Sequence, residues 1–287
     1  MIPETILPCA NPHIFRIVRR EAFILPSDPL LLRQDIGGKS MKHILRALAL
    51  AMCVTLFAVA PASGQERSAT KQGFELAPKS GKKILVFRPS VQVGSQSTGG
   101  MFEPNGEWTD SAKRNLQVAL EKLQTKLGNE IIVAPEAYGE DAQKLAEHMA
   151  LFAAVSDAVI EYQFFRGNRL PTKKRDNKED VFDWSLGSGV ADLPGAKDAD
   201  YGLFLYNRDA YGSTGRKVLQ VLAMLGPGIP VKSGEHQGYA GLVDLKTGDI
   251  LWLNADAAMG GDVREAEGAD KRAAQLLEDF PGSDLGQ

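Results

Sequence analysis

The chain has 287 residues, with 33 basic and 36 acidic side chains, a formal net charge of −3 and 44% hydrophobic residues. The first 64 residues hold seven of the basic and four of the acidic residues, so the chain from Gln65 onward keeps 26 and 32 and stands near −6. That balance argues against a nucleic-acid binder, which presents a basic face. The roughly 220 residues from Gln65 are enough to bury a sizeable core as one domain or a domain with elaborations.

Residues 1–40 contain Pro3, Pro8, Pro12, Pro26 and Pro29 and hold no sustained helical or strand period. We expect them to be a disordered extension upstream of the true start at Met41. Met41-Lys42-His43 with Arg46 gives a short basic region, Leu48–Ala60 an apolar core, and Ala60–Gln65 the small residues a signal peptidase needs. Residues 41–64 therefore read as a cleavable signal peptide and the location as the periplasm. Cys53 follows Met52 where a small residue is expected, and the apolar run continues past it, so a lipoprotein is not expected. Both cysteines, Cys9 and Cys53, precede the cleavage site. The mature chain then has neither a disulfide nor a thiol nucleophile.

Residues 65–81 are polar and read as a flexible leader, 82–282 as a single α/β domain, and 283–287 as a tail. Lys83–Arg88 is a nearly continuous apolar run stopped by Pro89, which predicts a strand buried on both faces. Val91–Trp108 is glycine-rich and predicts a long loop. A helix capped by Thr109 or Asp110 follows, with Leu116, Ala119, Leu120, Leu123 and Leu127 at helical spacing. Glu130–Ala134 predicts a second buried strand. Asp141 opens a helix with Ala142, Leu145, Met149 and Phe152 on one face, kinked near Ser156-Asp157. Arg166–Asp180 reads as a solvated loop, and Val181–Leu193 as a short helix around Trp184 and Leu186. Ala199–Tyr206 predicts a third strand. Arg216–Leu225 predicts a helix stopped by Gly226-Pro227-Gly228.

Gly238–Asn254 organises the rest. Two arms rich in β-branched and aromatic residues, Tyr239–Leu245 and Asp249–Leu253, flank Lys246-Thr247-Gly248. Gly248 is free to take positive φ, so a hairpin is expected there, built on Asp244, Thr247, Gly248 and Trp252. Asp262-Val263-Arg264-Glu265 fits a capping box before a last helix carrying Ala273, Leu276, Leu277 and Phe280. The order predicts an α/β (α+β) fold: one mixed sheet of about five strands, with helices against it.

The opening strand Lys83–Arg88, the helix after Trp108, the strand introduced by Asp198-Ala199-Asp200-Tyr201 and the Leu242–Trp252 hairpin together resemble a group of bacterial envelope proteins. The group includes the curli secretion lipoprotein CsgG, the amino-terminal domain of TolB and the synthase activator LpoB. The resemblance covers most of Lys82–Pro281 and lies closest to uncharacterised members. It implies a non-catalytic envelope component that assembles or activates other machinery. The absent lipobox, the segment Arg166–Leu193 and the helix Arg216–Leu225 depart from the pattern.

The chemistry-bearing residues are sparse. The mature chain has two histidines, His148 and His236, and neither has a second histidine at ligand spacing, so no metal site and no cofactor are expected. Tyr211-Gly212-Ser213-Thr214-Gly215 is not a nucleophile elbow, though Ser213, His236 and Asp244 could meet as a hydrolase triad. Gly212, Ser213, Thr214, Gly215, Arg216 and Lys217 lie between a strand and a helix start. There, free N–H groups, the helix dipole and two cations suit an anion; ordinary capping by Ser213 or Thr214 uses the same residues. Asp198/Asp200 and Asp256/Asp262 are paired carboxylates that also suit loops and caps. Lys173-Lys174-Arg175 could meet acidic lipid or a cell-wall polymer, and also reads as a solvated run. The leading expectation is an exported, non-enzymatic envelope protein acting through contacts with an envelope protein partner. The alternatives are a small-anion or ligand-binding periplasmic protein and a hydrolase.

Overall fold

A computed structural model describes residues 67–165, 168, 170–173, 181–225 and 231–283, all within one compact unit, Ala62–Gln287. The expectations for residues 1–64, for most of the Arg166–Asp180 loop and for the tail lie outside the described residues.

The α/β class is as expected, with one mixed sheet of eight strands among the described residues rather than about five. The strands are β1 (Arg67–Thr70), β2 (Lys83–Val86), β3 (Ser90–Gln96), β4 (Phe102–Pro104), β5 (Glu130–Val133), β6 (Tyr201–Gly212), β7 (Glu235–Asp244) and β8 (Ile250–Asp256). The helices are α1 (Gly106–Leu123), α2 (Gly139–Val159), α3 (Thr214–Leu225) and α4 (Ala266–Leu276).

The sheet is built on β6, which runs twelve residues. β7 pairs with it antiparallel from Tyr201↔Asp244 to Ala210↔Glu235. On its other side β2 pairs parallel with its first half and β3 parallel with its second half. Pro89 separates β2 from β3; it lacks an N–H, so the ladder stops there and the chain re-registers. The full path is β1-β8-β7-β6-β2-β5, with β4 beyond β3. β5 is therefore an edge strand with Glu130 and Val133 exposed, not the buried strand its apolar run predicts, because only β2 covers it within the sheet.

Alternation along each strand sends side chains to two cores. Ile84, Val86, Leu203, Leu205, Leu242 and Trp252 pack under α1 and α4. Leu85, Phe87, Phe204, Tyr239, Val243 and Leu253 pack under α2 and the segment from Phe182 to Ala196. On β8 one extra residue, Leu251, lies between the pairs Leu242↔Trp252 and Val243↔Ile250. This bulge puts Ile250 and Trp252 on opposite faces although they are two residues apart.

The hairpin is built as its residues predict. Gly248 has φ +79°. The Asp244 carboxylate accepts from the N–H groups of Lys246 (2.8 Å) and Thr247 (3.0 Å), and Gly248 N donates to Asp244 O (2.8 Å). Trp252 is fully buried, edge-on to Phe280.

Several local expectations are corrected. The leader is not loose, because Arg67–Thr70 pairs with β8 and Leu76 is buried. Val91–Trp108 is not a loop throughout. Val91 and Val93 point into the core while polar neighbours alternate with them, and α1 begins at Gly106 because Asn105, not Thr109 or Asp110, accepts from Trp108 N. α2 has no break at Ser156; a π turn, Ile160–Phe164, continues it. Val181–Leu193 is not a helix around Trp184. Its start lies along the hairpin turn, where Leu186 N donates to Gly248 O and Ile250 N to Trp184 O, both 2.8 Å, and only Ser188–Asp192 winds into a 3₁₀ turn. Phe182, Leu186, Val190 and Leu193 then close the second core. The capping box does not form: α4 starts at Ala266, and Asp262 is engaged elsewhere.

Candidate functional site

β6 does not end at Tyr206. Its next inward positions carry Asn207 and Asp209, which face α4 in place of the leucines before them. Arg272 falls on the buried stripe of α4 formed with Ala269, Ala273 and Leu276. Both Asp209 and Arg272 are fully buried, and two of their contacts are 3.0 Å each, Nη1 to Asp209 Oδ2 and Nη2 to Asp209 Oδ1. Nη1 also donates to Asn207 Oδ1, Nε to Gly260 O (2.9 Å) and Nη2 to Gly261 O (3.1 Å). A guanidinium has five N–H donors, and all five are used. Across the ladder, His236 Nδ1 lies 2.5 Å from Asp209 Oδ1. Burial pushes the Asp209 carboxyl up, but His236 and Arg272 outweigh it and hold it below the usual range.

Beside this network Asp262 grips Arg264 with both oxygens (2.9 and 2.6 Å) and accepts from Tyr211 Oη (2.7 Å). The Arg264 guanidinium lies 3.7 Å from the Tyr211 ring centroid and 4.5 Å from that of Trp108. The bond from Arg264 is the main reason the Asp262 carboxyl falls well below its ordinary value; burial raises the Tyr211 phenol. Together these contacts pin the loop Gly260–Glu265 onto the sheet.

The residues considered for hydrolysis are not brought together. His236 and Asp244 lie at opposite ends of β7, eight residues or about 27 Å of strand apart. The carboxylate at His236 is Asp209, a residue to which the sequence alone assigns no role. Ser213 Oγ accepts from Arg216 N (3.3 Å), as a cap for α3. His148 is half-buried, its Nδ1 on Lys144 O. The paired carboxylates serve locally: Asp200 holds Lys82 Nζ (2.8 Å) and Lys83 N (3.0 Å), and Asp256 accepts from Ala258 N (2.7 Å). Of the basic tract, Lys173 is described; its ammonium lies 4.5 Å from the Trp184 ring centroid. Among the described residues no group of three His, Cys, Asp or Glu stands where it could hold a metal ion.

The Gly212–Lys217 turn is crowded by the protein itself. A Cβ on Gly212 would lie 2.0 Å from Ser233 Oγ, and one on Gly215 would lie 2.4 Å from Thr98 Oγ1. Arg216 reaches back to donate from Nε to Lys232 O (2.8 Å) and from Nη1 to Thr98 O (3.2 Å). Ser213→Ala is therefore expected to cost about 1 kcal/mol of stability through the lost cap. Chemical denaturation measures that cost. Calorimetry with phosphate and sulfate, giving heat that Arg216→Ala removes, would instead show the turn taking an anion.

A crevice of about 510 Å³ opens beyond the carboxyl ends of β2 and β5. β2 leads through Pro89 into β3 and only after β4 to α1 on one face, while β5 leads directly to α2 on the other; the crevice lies beyond the carboxyl ends of these parallel strands, where open α/β sheets take ligands. Arg88, Lys113, Glu136, Gln92 and Tyr206 supply its polar lining, with Arg88 Nη1 2.9 Å from Glu136 Oε1.

α3 has the opposite character. None of its residues is buried, and Val218, Leu219, Val221, Leu222, Met224 and Leu225 are 38–81% exposed. Scattered apolar side chains are ordinary on a surface; six on one three-turn helix form a patch of the kind that marks an interaction site.

No family model and no curated protein matches the chain. Among the solved structures that align with most of it are two of one protein. One is the PelC dodecamer from Paraburkholderia phytofirmans in space group P6, at 11% identity and TM-score 0.31, covering 77% of this chain and 99% of that one. The other is a variant of that dodecamer in space group C2, at 11% identity and TM-score 0.30, covering 76% and 99%.

Proposed function

We propose that this is an exported, non-enzymatic protein of the bacterial envelope, periplasmic once residues 41–64 are removed, which assembles or regulates envelope machinery through contacts. The resemblance to the CsgG, TolB and LpoB group supports that reading at the level of sequence. The observation that carries it is α3, an apolar helix held out from a body whose own cores are closed. A photo-crosslinking side chain placed at Val221 in cells is expected to capture an envelope component, with the same probe at exposed Thr125 capturing none. Equal and diffuse labelling from both positions would remove the reading.

The second reading, a periplasmic ligand-binding protein, is favoured by the crevice at the ends of β2 and β5. Arg88 and Lys113 would take an acidic group and the α2 wall an apolar body. Calorimetry with phosphate and sulfate addresses it as well, since heat that survives Arg216→Ala but not Lys113→Gln belongs to the crevice.

A further inference from the structure

We propose that α3 docks on an anionic lipid surface, lying in the headgroup region with its apolar side chains among the upper acyl chains. The inference rests on the contact reading above and names the partner of that same helix.

Three features point to lipid. The first is the apolar run. From Val218 to Val231 the sequence has fourteen residues with Gln220 as the one polar side chain and no charge. On α3 itself this run leaves large apolar groups on more than one side, at 218, 219, 221, 222, 224 and 225. A groove on a folded protein covers one stripe of a helix, whereas lipid covers whatever is presented.

The second is charge. Residues 210–234 contain Arg216, Lys217 and Lys232 and no acidic residue, in a chain that is acidic overall. The third is their placement. Arg216 Nε donates to Lys232 O, which ties the first turn of α3 to the backbone at Lys232, so the three basic residues are gathered as a collar near the foot of the helix. Anionic headgroups attract such a collar, each base adding roughly fivefold to partitioning. Pairing α3 with α3 of a second copy would bring two basic collars together with no acid in the segment to offset them.

The helix does not cross the bilayer. Its twelve residues span about 18 Å, short of the ~30 Å hydrocarbon core, and no described helix is long and apolar enough to span. It lies in the interface, with the β6–β7 end of the sheet facing the membrane.

The test places an environment-sensitive NBD dye on α3 of the full chain. Cys9→Ser and Cys53→Ser remove the natural thiols, and Met224→Cys carries the dye; Thr125→Cys labels a remote exposed site. Position 224 is expected to shift to the blue and brighten severalfold with phosphatidylethanolamine–phosphatidylglycerol vesicles, and much less with phosphatidylcholine. Position 125 is expected to stay unchanged. Lys217→Gln with Lys232→Gln is expected to lower the phosphatidylglycerol partition at least about tenfold while leaving the melting temperature unchanged. The dye is attached to α3, so attachment through residues 41–64 does not mimic the result: sedimentation with vesicles while position 224 remains aqueous overturns the proposal. Equal response to both vesicle types also overturns it. A blue shift without vesicles that grows with protein concentration assigns α3 to a second copy; it overturns the lipid proposal and leaves the contact reading standing. No shift under any condition, together with no capture from Val221, overturns both.

Discussion

Arg272→Ala is expected to destabilise the protein by about 3–5 kcal/mol. The figure does not come from the strength of the ion pair, because the desolvation of two buried charges offsets much of their attraction. It comes from what the truncation leaves behind. Asp209 is fully buried and would lose two charge-assisted contacts, while the carbonyls of Gly260 and Gly261 and the Asn207 side chain would lose their donors. Half-buried His236 and the Asn207 amide, which donates to Asp209 Oδ2, would remain as its hydrogen-bonding partners. Urea unfolding measures the loss. A companion variant separates the two sources: Arg272→Met with Asp209→Asn removes both charges, keeps the volume near α4, and is expected to recover more than half of it. A cost below about 1 kcal/mol for Arg272→Ala would mean that water satisfies Asp209 and that the network does not hold α4 to the sheet.

The same network explains which parts of the fold are legible in the residues. β2, β5 and the hairpin arms are apolar runs closed by proline or glycine, and their pattern is local. The apolar pattern carries β6 only to Tyr206, because Asn207 and Asp209 break it. They are tolerated in a sheet interior only because Arg272 arrives from α4, more than sixty residues later. A pairing at that separation leaves no periodic trace. One signal is present: Arg272 falls on the stripe of Ala269, Ala273 and Leu276, where a buried arginine calls for a buried acid. β3 is hidden differently, since Val91 and Val93 are its only large apolar residues, with Gln92 between them and glycine, serine and glutamine around them. The exposed face of α3 is legible as a helix and not as a surface, because periodicity says that a helix is apolar and not whether anything covers it.

Gly248→Val is the second large effect, and two independent causes act on it. The first is conformational. Gly248 holds φ +79°, where a β-branched residue is strained by about 1–3 kcal/mol. The second is spatial, and it comes from the segment whose residues predict a short helix. A Cβ at position 248 would sit 2.0 Å from the carbonyl oxygen of Gly187 and 2.4 Å from its carbonyl carbon. Those atoms are backbone and cannot rotate away. The Trp184–Gly187 segment must therefore lift from the turn, giving up Leu186 N to Gly248 O and straining Ile250 N to Trp184 O, each worth about 1 kcal/mol. The combined loss is expected to be about 2–4 kcal/mol. Gly73, in the turn closed by Phe74 N to Lys71 O, has φ +77°, but a Cβ added there would meet nothing within 4 Å, so Gly73→Val bears the conformational cost alone. The comparison of the two melting curves is decisive: if Gly248→Val costs no more than Gly73→Val, the close approach of the Gly187 and Gly248 backbones is not what fixes the turn.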